Sequence, residues 1–348
     1  MREAQLFIIP NSLFIILISQ AKFMNYNLQK NYLDDSKLEQ KPMRDGAGIG
    51  MAELGKDKEN MVVLCADTTG SSRAEDFANI FPDRFIQCGV AEQNMAGISA
   101  GLAYEGKVPY AVTYGAFLIG RPWEPIRTTI AYPKNHVVFV SSHVGIATGP
   151  DGPTHQMTED ISITRCLPNF TVIAPADYEQ ARKAVKAAYD VDGPVYIRNC
   201  REKTPVFTTE ETPFEIGKAQ ILRDGKDVTA IGHGYMVYWL LQIAEELKKE
   251  VSIEVINLHT VKPLDEETIL KSAKKTGRVF TVEDQNIIGG LGSAVAEVLS
   301  ENHPTPLKRH GVMDIFTESG SVKDLWKKYK LDKDGVKEEL QKFLVTHN

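Results

Sequence analysis

Five apolar runs lie at residues 61–66, 108–113, 136–140, 171–174 and 195–197; all end in polar residues except 171–174, which ends at Pro175, and the segments between several of them have helical character. The runs are continuous rather than alternating, so strands formed from them would be buried on both faces. Only covering layers of helices on a largely parallel sheet provide that environment. The chain is therefore α/β. In an open α/β sheet the ligand crevice lies beyond the carboxyl ends of the strands. Asp67, Ser71, Glu92, Tyr114, His143 and Arg201 all fall at or just past such ends. Sequence does not give the strand order that would bring them together.

A second alternating block follows, with strands expected over 228–231, 253–258, 278–282 and near Lys308, and helices over 236–249, 265–275 and 292–299. The 348 residues suit two domains. We expect an extension at 1–42, a first domain at 43–205, a linker at 206–217 and a second domain at 218–348. Residues 13–18 are intensely apolar, but the stretch 6–19 is too short to span a bilayer and contains Pro10. Glu3 and the lack of a small-residue cleavage site argue against a signal peptide. The extension is expected to be disordered or to precede a functional start at Met24 or Met43. A net charge of −6 with scattered Lys and Arg argues against nucleic acid as a partner, and no membrane association is expected. Cys65, Cys88, Cys166 and Cys200 form no CxxC pair, reading as buried thiols of a cytoplasmic protein. Gly289-Gly290-Leu291-Gly292, after Glu283-Asp284-Gln285-Asn286, fits neither phosphate-loop spacing, and reads as a tight turn into a closely packed helix.

Two motifs carry chemistry. Gly89-Val90-Ala91-Glu92-Gln93-Asn94-Met95 follows a strand-like run at 84–88 and leads into Met95, Ile98 and Leu102 at helical spacing. Glu92 then lies in the first turn of a helix, where a carboxylate complements the dipole and can also face a ligand. In Asp151-Gly152-Pro153-Thr154-His155-Gln156, Gly149 and Gly152 permit a tight loop and Thr154 suits the cap of a following helix. Such a loop would hold Asp151 and His155 close together, ready to hydrogen-bond a polyhydroxylated substrate.

On these two motifs, the segment from about Arg44 to the C-terminus resembles the C-terminal half of transketolase. The resemblance implies a thiamine-diphosphate-binding, pyrimidine-type parallel-sheet domain followed by a transketolase C-terminal-like α/β domain. It implies that Glu92 activates the cofactor, by hydrogen-bonding the aminopyrimidine ring so that its exocyclic nitrogen can take the thiazolium proton. Tyr114 (for the commoner Phe) and Phe117 match rings that stack on the pyrimidine, and Asp67 a residue near the cofactor. Arg44, Ser71, His143 and Arg201 match residues that grip a substrate phosphate, with Arg198 a weaker candidate. Asp151 matches a residue reading a substrate hydroxyl, and His155 one at the reacting end of the donor.

Two departures stand out: Thr148-Gly149-Pro150 replaces an expected glycine and glutamate, and 119–124 carries Gly, Arg, Pro and Trp where the family has a smoother helix start. No Gly-Asp-Gly followed by a distant Asn occurs, so ligands for Mg2+ and the diphosphate are expected from another polypeptide, and none here. The resemblance thus implies the C-terminal subunit of a split transketolase of the pentose phosphate pathway, in a heterotetramer with an N-terminal subunit, moving two-carbon ketol units between sugar phosphates. The alternatives are a deoxyxylulose phosphate synthase-like enzyme, a 2-oxoacid dehydrogenase β subunit, or a non-catalytic scaffold subunit. Ile197-Arg198-Asn199-Cys200-Arg201 does not match the usual Arg-Tyr-Pro-Arg-Gly of the synthase. A scaffold would have no need of Glu92, His143, Asp151, His155 and Arg201 together.

Overall fold

The structure, a computed structural model, describes residues 26–346; the apolar run 13–18 lies outside them. The first half carries β1 (Gln40–Pro42), β2 (Met61–Cys65), β3 (Phe85–Gln87), β4 (Val108–Tyr114), β5 (Val138–Ser142), β6 (Thr171–Ile173), β7 (Val195–Arg198) and β8 (Lys203–Pro205). The second half carries β9 (Gln220–Arg223), β10 (Val228–Gly232), β11 (Ile253–Asn257), β12 (Thr260–Lys262), β13 (Val279–Asn286) and β14 (Leu307–Val312). One sheet has the order β12-β6-β7-β5-β4-β2-β3, the other β14-β13-β10-β11-β9. Each is parallel except at one edge, where β12 and β9 run antiparallel to their neighbours. Every residue of β2, β5 and β7 is buried, as continuous apolar strands require. Helices α1 (Met43–Asp57), α2 (Glu92–Tyr104) and α3 (Tyr178–Ala187) belong to the first sheet. With the second sheet go α4 (Met236–Glu246), α5 (Glu266–Thr276), α6 (Leu291–Asn302), α7 (Val322–Lys328) and α8 (Lys333–Thr346).

The two halves share their cores. One apolar cluster joins Phe170, Val172 and Tyr196 to Ile256, Leu258 and Val261, and another joins Met43 and Ile146 to Tyr235 and Leu325. The second half also donates β12 to the first sheet, pairing with β6, which periodicity did not reveal. The segment 206–217 is tied down as well: the amides of Phe207 and Thr208 donate to Asp177 Oδ2 at 2.9 and 2.7 Å. Residues 26–42, grouped by sequence with the extension, have a place in the fold. Tyr26, Leu28 and Tyr32 pack on the second cluster, and β1 pairs with β8. The thiols also differ from expectation: Cys65 and Cys200 are buried, Cys88 is half-buried and Cys166 is exposed.

A buried ion pair fastens the seam. Arg198 Nε donates to Asp160 Oδ2 at 2.9 Å and its Nη2 to the Asp284 carbonyl at 2.6 Å, while Tyr196 donates to the same Asp160 oxygen at 2.6 Å. Asp284 Oδ1 accepts the Ile146 amide at 3.0 Å. Gly145, with φ +66°, lets the chain pass: a Cβ there would stand 2.0 Å from Asp284 Oδ2. β13 extends to Asn286, past the expected 282, and so buries Glu283, Asp284 and Gln285. Glu283 then accepts the amides of Leu291 and Gly292 at 2.7 and 2.9 Å, filling the N-terminus of α6 with the chain's own carboxylate. Burial pushes Glu283 up to about 7, against those hydrogen bonds. The glycine-rich turn therefore packs against Glu283, as a tight entry into its helix.

Replacing Arg198 by Met would leave Asp160 charged and buried without its cation. Urea denaturation should show a loss of about 3–5 kcal/mol. Adding Asp160→Asn to the same chain should recover part of it.

Candidate active site

The strand order supplies what sequence could not. From β2 the chain leads to β3 on one side, whereas β4 leads to β5 on the other, so β2 and β4 flank the topological switch point, the usual place for a crevice. Asp67 and Ser71 follow β2, and Tyr114 ends β4. Thr68 Oγ1 donates to Thr113 Oγ1 across the switch at 3.0 Å, and Tyr114 donates to Ser71 Oγ at 2.9 Å. Asp67 is exposed in a left-handed conformation, its amide donating to Gln87 Oε1 at 2.8 Å.

One arm of the site is cationic. Arg44, from the first turn of α1, donates to the Ser71 carbonyl at 2.7 Å and lies 3.4 Å from His143 Nε2. Because arginine can only donate, Nε2 accepts, and the ring proton sits on Nδ1, 2.9 Å from Ser142 Oγ. The His143 ring stacks on Tyr114 at 3.7 Å between centroids. Burial, with Arg44, Arg201 and His155 adding to it, pushes His143 down to about 3. Arg201 reaches the Thr148 carbonyl at 2.9 Å. Arg44 and Arg201 line a cleft of about 580 Å³, with Lys203 and, from the second half, Lys323 and Trp326. The buried Nε of Arg44 makes no hydrogen bond, and Asp45 Oδ1 lies 3.8 Å from it.

The other arm is built on a carboxylate. Glu92 opens α2 and is 4 % exposed. Its two oxygens accept from Arg121 Nη1 at 3.0 and 2.9 Å. The Arg121 guanidinium lies 4.1 Å over the Phe117 ring. Phe117 links the arms, with its centroid 6.2 Å from Tyr114 and 5.0 Å from His155. Phe117 lies on a π-helical turn, Ala116–Gly120, and Arg121 follows it. Sequence reading passed over Arg121; its place four residues after Phe117, on one helical face, was the available signal.

The Asp151–Gln156 loop departs from expectation in two respects. Thr154 caps no helix, because the next one is Asp160–Arg165; its hydroxyl is 2.8 Å from His155 Nδ1. Asp151 is exposed and makes no side-chain hydrogen bond, so it stands apart from the contacts joining the other candidates. Gln156, unassigned by sequence, donates to the carbonyls of Gly149 and Glu318 at 2.8 and 3.1 Å and accepts from Thr317. It thereby anchors the loop to the second half. Arg198 serves the seam and not the cleft. Among the described residues, no cluster of three or more His, Cys, Asp or Glu side chains is placed to hold a metal ion, and no helix is long and apolar enough to cross a membrane.

The fold is a two-domain α/β architecture with a candidate site at the carboxyl edge of the larger sheet, where a cationic arm and a buried carboxylate are joined by aromatic rings. Residues 39–206 match the transketolase pyrimidine-binding domain and residues 217–336 the transketolase C-terminal domain. A transketolase C-terminal section from Methanocaldococcus jannaschii is 47% identical, over 85% of this chain and 94% of that one. The 6-deoxy-6-sulfo-D-fructose transketolase subunit SqwH of a Clostridium species is 43% identical, over 85% and 92%. A solved split-gene transketolase, an inactive β4 tetramer, superposes with a TM-score of 0.82 at 42% identity, over 87% of this chain and 98% of that one. The chain belongs to the transketolase family and corresponds to its C-terminal section.

The displaced titration of His143 gives a direct check. With a value near 3, its ring should stay neutral from pH 5 to 8. Its NMR resonances should hold still over that range while those of exposed histidines move.

Proposed function

We propose that this chain is the C-terminal subunit of a split transketolase, working with a separate N-terminal subunit to transfer a two-carbon ketol unit from a ketose phosphate to an aldose phosphate. One observation carries the reading: a buried carboxylate, Glu92, opens a helix at the carboxyl edge of a parallel sheet and is joined through Arg121 to the face of Phe117. The residues suit an aminopyrimidine, since Glu92 offers a hydrogen-bonding edge and Phe117 a flat aromatic face. The chemistry that thiamine diphosphate supplies when bound is reversible cleavage of the carbon–carbon bond beside a ketose carbonyl. In this reading Glu92 holds a proton against the pyrimidine nitrogen, Phe117 and Tyr114 orient the ring, and Asp67 borders it. Mg2+ and the diphosphate belong to the partner subunit, since this chain lacks the Gly-Asp-Gly…Asn motif.

Substrate is held from the opposite arm. Arg44 and Arg201 pair with the terminal phosphate through planar forks, and Ser71 and His143 complete the cradle. Because His143 is neutral, it contributes a hydrogen bond and no charge; turning its proton to Nε2 would let it donate to the phosphate. Asp151 reads a sugar hydroxyl, and His155, packed edge-on to Phe117, lies nearest the reacting end. The likeness to a split-gene transketolase solved as an inactive β4 tetramer supports a tetrameric assembly that needs a second kind of chain, which this reading takes to be two chains of each kind. A relative named for a sulfonated ketose makes the donor's anion the first property to assay.

The chain alone should show no ketol transfer, and mixing it with a Gly-Asp-Gly…Asn subunit, Mg2+ and thiamine diphosphate should restore the reaction. Full activity without a partner would refute the split. Glu92→Gln in the assembled enzyme should lower kcat by about 10²–10⁴-fold. Arg201→Met should raise KM for phosphorylated donors far more than it lowers kcat. Equal loss with an unphosphorylated donor would remove Arg201 from the phosphate cradle.

A further inference from the structure

In the proposed function Glu92 meets a ring nitrogen beside the Phe117 face, yet both positions are taken by this chain itself. Arg121 donates to the two oxygens of Glu92, and its guanidinium covers the ring of Phe117. We propose that Arg121 is a built-in stand-in for the aminopyrimidine, satisfying Glu92 until the cofactor enters and then handing it over. This rests on the reading of Glu92 given above.

The chemistry of the two groups supports the exchange. A guanidinium and an aminopyrimidine are both flat and conjugated, and each contains an N–C–N unit; the guanidinium donates its N–H groups to a carboxylate, whereas the ring nitrogen accepts from a carboxyl group. Each can stack on an aromatic face while bonding a carboxyl group in its own plane. The two cannot share one face of Phe117 and one carboxyl edge. The states of Glu92 also differ. An arginine donating to both oxygens requires the ionised carboxylate, whereas the proposed function requires a proton between Glu92 and the ring nitrogen. Exchange therefore replaces the guanidinium, which withdraws with its charge, by a proton taken up from water, and the charge at the buried position remains balanced.

The exposure of the two side chains favours the arginine as the partner that moves. The Glu92 side chain is 4 % exposed and the Arg121 side chain 47 %, so the arginine has solvent to withdraw into. A Cβ placed on the adjoining Gly120 would meet nothing within 4 Å. Arg121 leaves a π-helical turn, a local irregularity that recurs at functional sites. Without a stand-in, the carboxylate of Glu92 would be buried without a cation, a costly state. Arg121 thus protects the crevice before assembly and competes with its ligand afterwards.

Calorimetric titration of thiamine diphosphate into the full chain assembled with its N-terminal subunit and Mg2+ tests the proposal. Wild type, Glu92→Gln, Arg121→Met and Arg121→Lys are compared. Removing the competitor in Arg121→Met should tighten binding by roughly 5- to 20-fold. Arg121→Lys keeps the charge without the flat stack and should fall between. If Glu92→Gln binds as tightly as wild type, the reading of Glu92 fails and the exchange fails with it. If Glu92→Gln is weaker but Arg121→Met is unchanged or also weaker, only the exchange is overturned, and Arg121 instead positions Glu92 in the bound state.

Discussion

The architecture depends on a guanidinium withdrawn from water. Arg198 leaves the end of β7, pairs with Asp160 of the first half and bonds the Asp284 backbone of the second. A buried cation is tolerated only where hydrogen bonds replace its hydration, so both halves must be present for either contact to be worthwhile. The same seam holds the loop from His143 to Gln156, since Asp284 accepts the Ile146 amide and Gln156 bonds Thr317 and Glu318. The second half thus shapes the candidate site twice: it fixes the loop that carries His143 and His155, and it lines the cationic cleft with Lys323 and Trp326.

The crevice itself is organised by charge. On one side sit Arg44, Arg201 and the neutral His143; on the other sits Glu92. Tyr114, Phe117 and His155 separate them as a bridge of rings. Under the proposed function Glu92 exchanges a proton and the other side holds a phosphate, and the two charges would disturb each other at close range. The rings let one crevice contain both.

Much of this was legible in the sequence. Uninterrupted apolar runs at 61–66 and 195–197 demanded a sheet covered on both faces, and the polar residues at their ends marked the crevice edge. Glu92 was legible because a glycine-containing turn and small helical residues flank it. What escaped depends on distant partners. Nothing local distinguishes Arg198 from a surface arginine until Asp160, 38 positions away, comes to meet it. β12 is three residues long and gains its stability from β6, so its pattern is too short to read. Thr154 has the composition of a cap but no helix to cap. Arg121 sits in a stretch rich in glycine and proline, where its spacing from Phe117 carries meaning only once a π-helical turn is seen to place both on one side.

The strand lent by the second half to the first sheet has a consequence for how the molecule is made. Synthesis proceeds from the N-terminus, so β6 emerges with one flank bare and keeps it bare until residue 262 has left the ribosome. An open strand edge invites pairing with other chains. The nascent first half is therefore a sticky intermediate by construction, and its edge is closed only by the polypeptide that follows. Cutting within 206–217 would yield two fragments that each lack a finished surface, so the linker is a continuous thread through one folding unit.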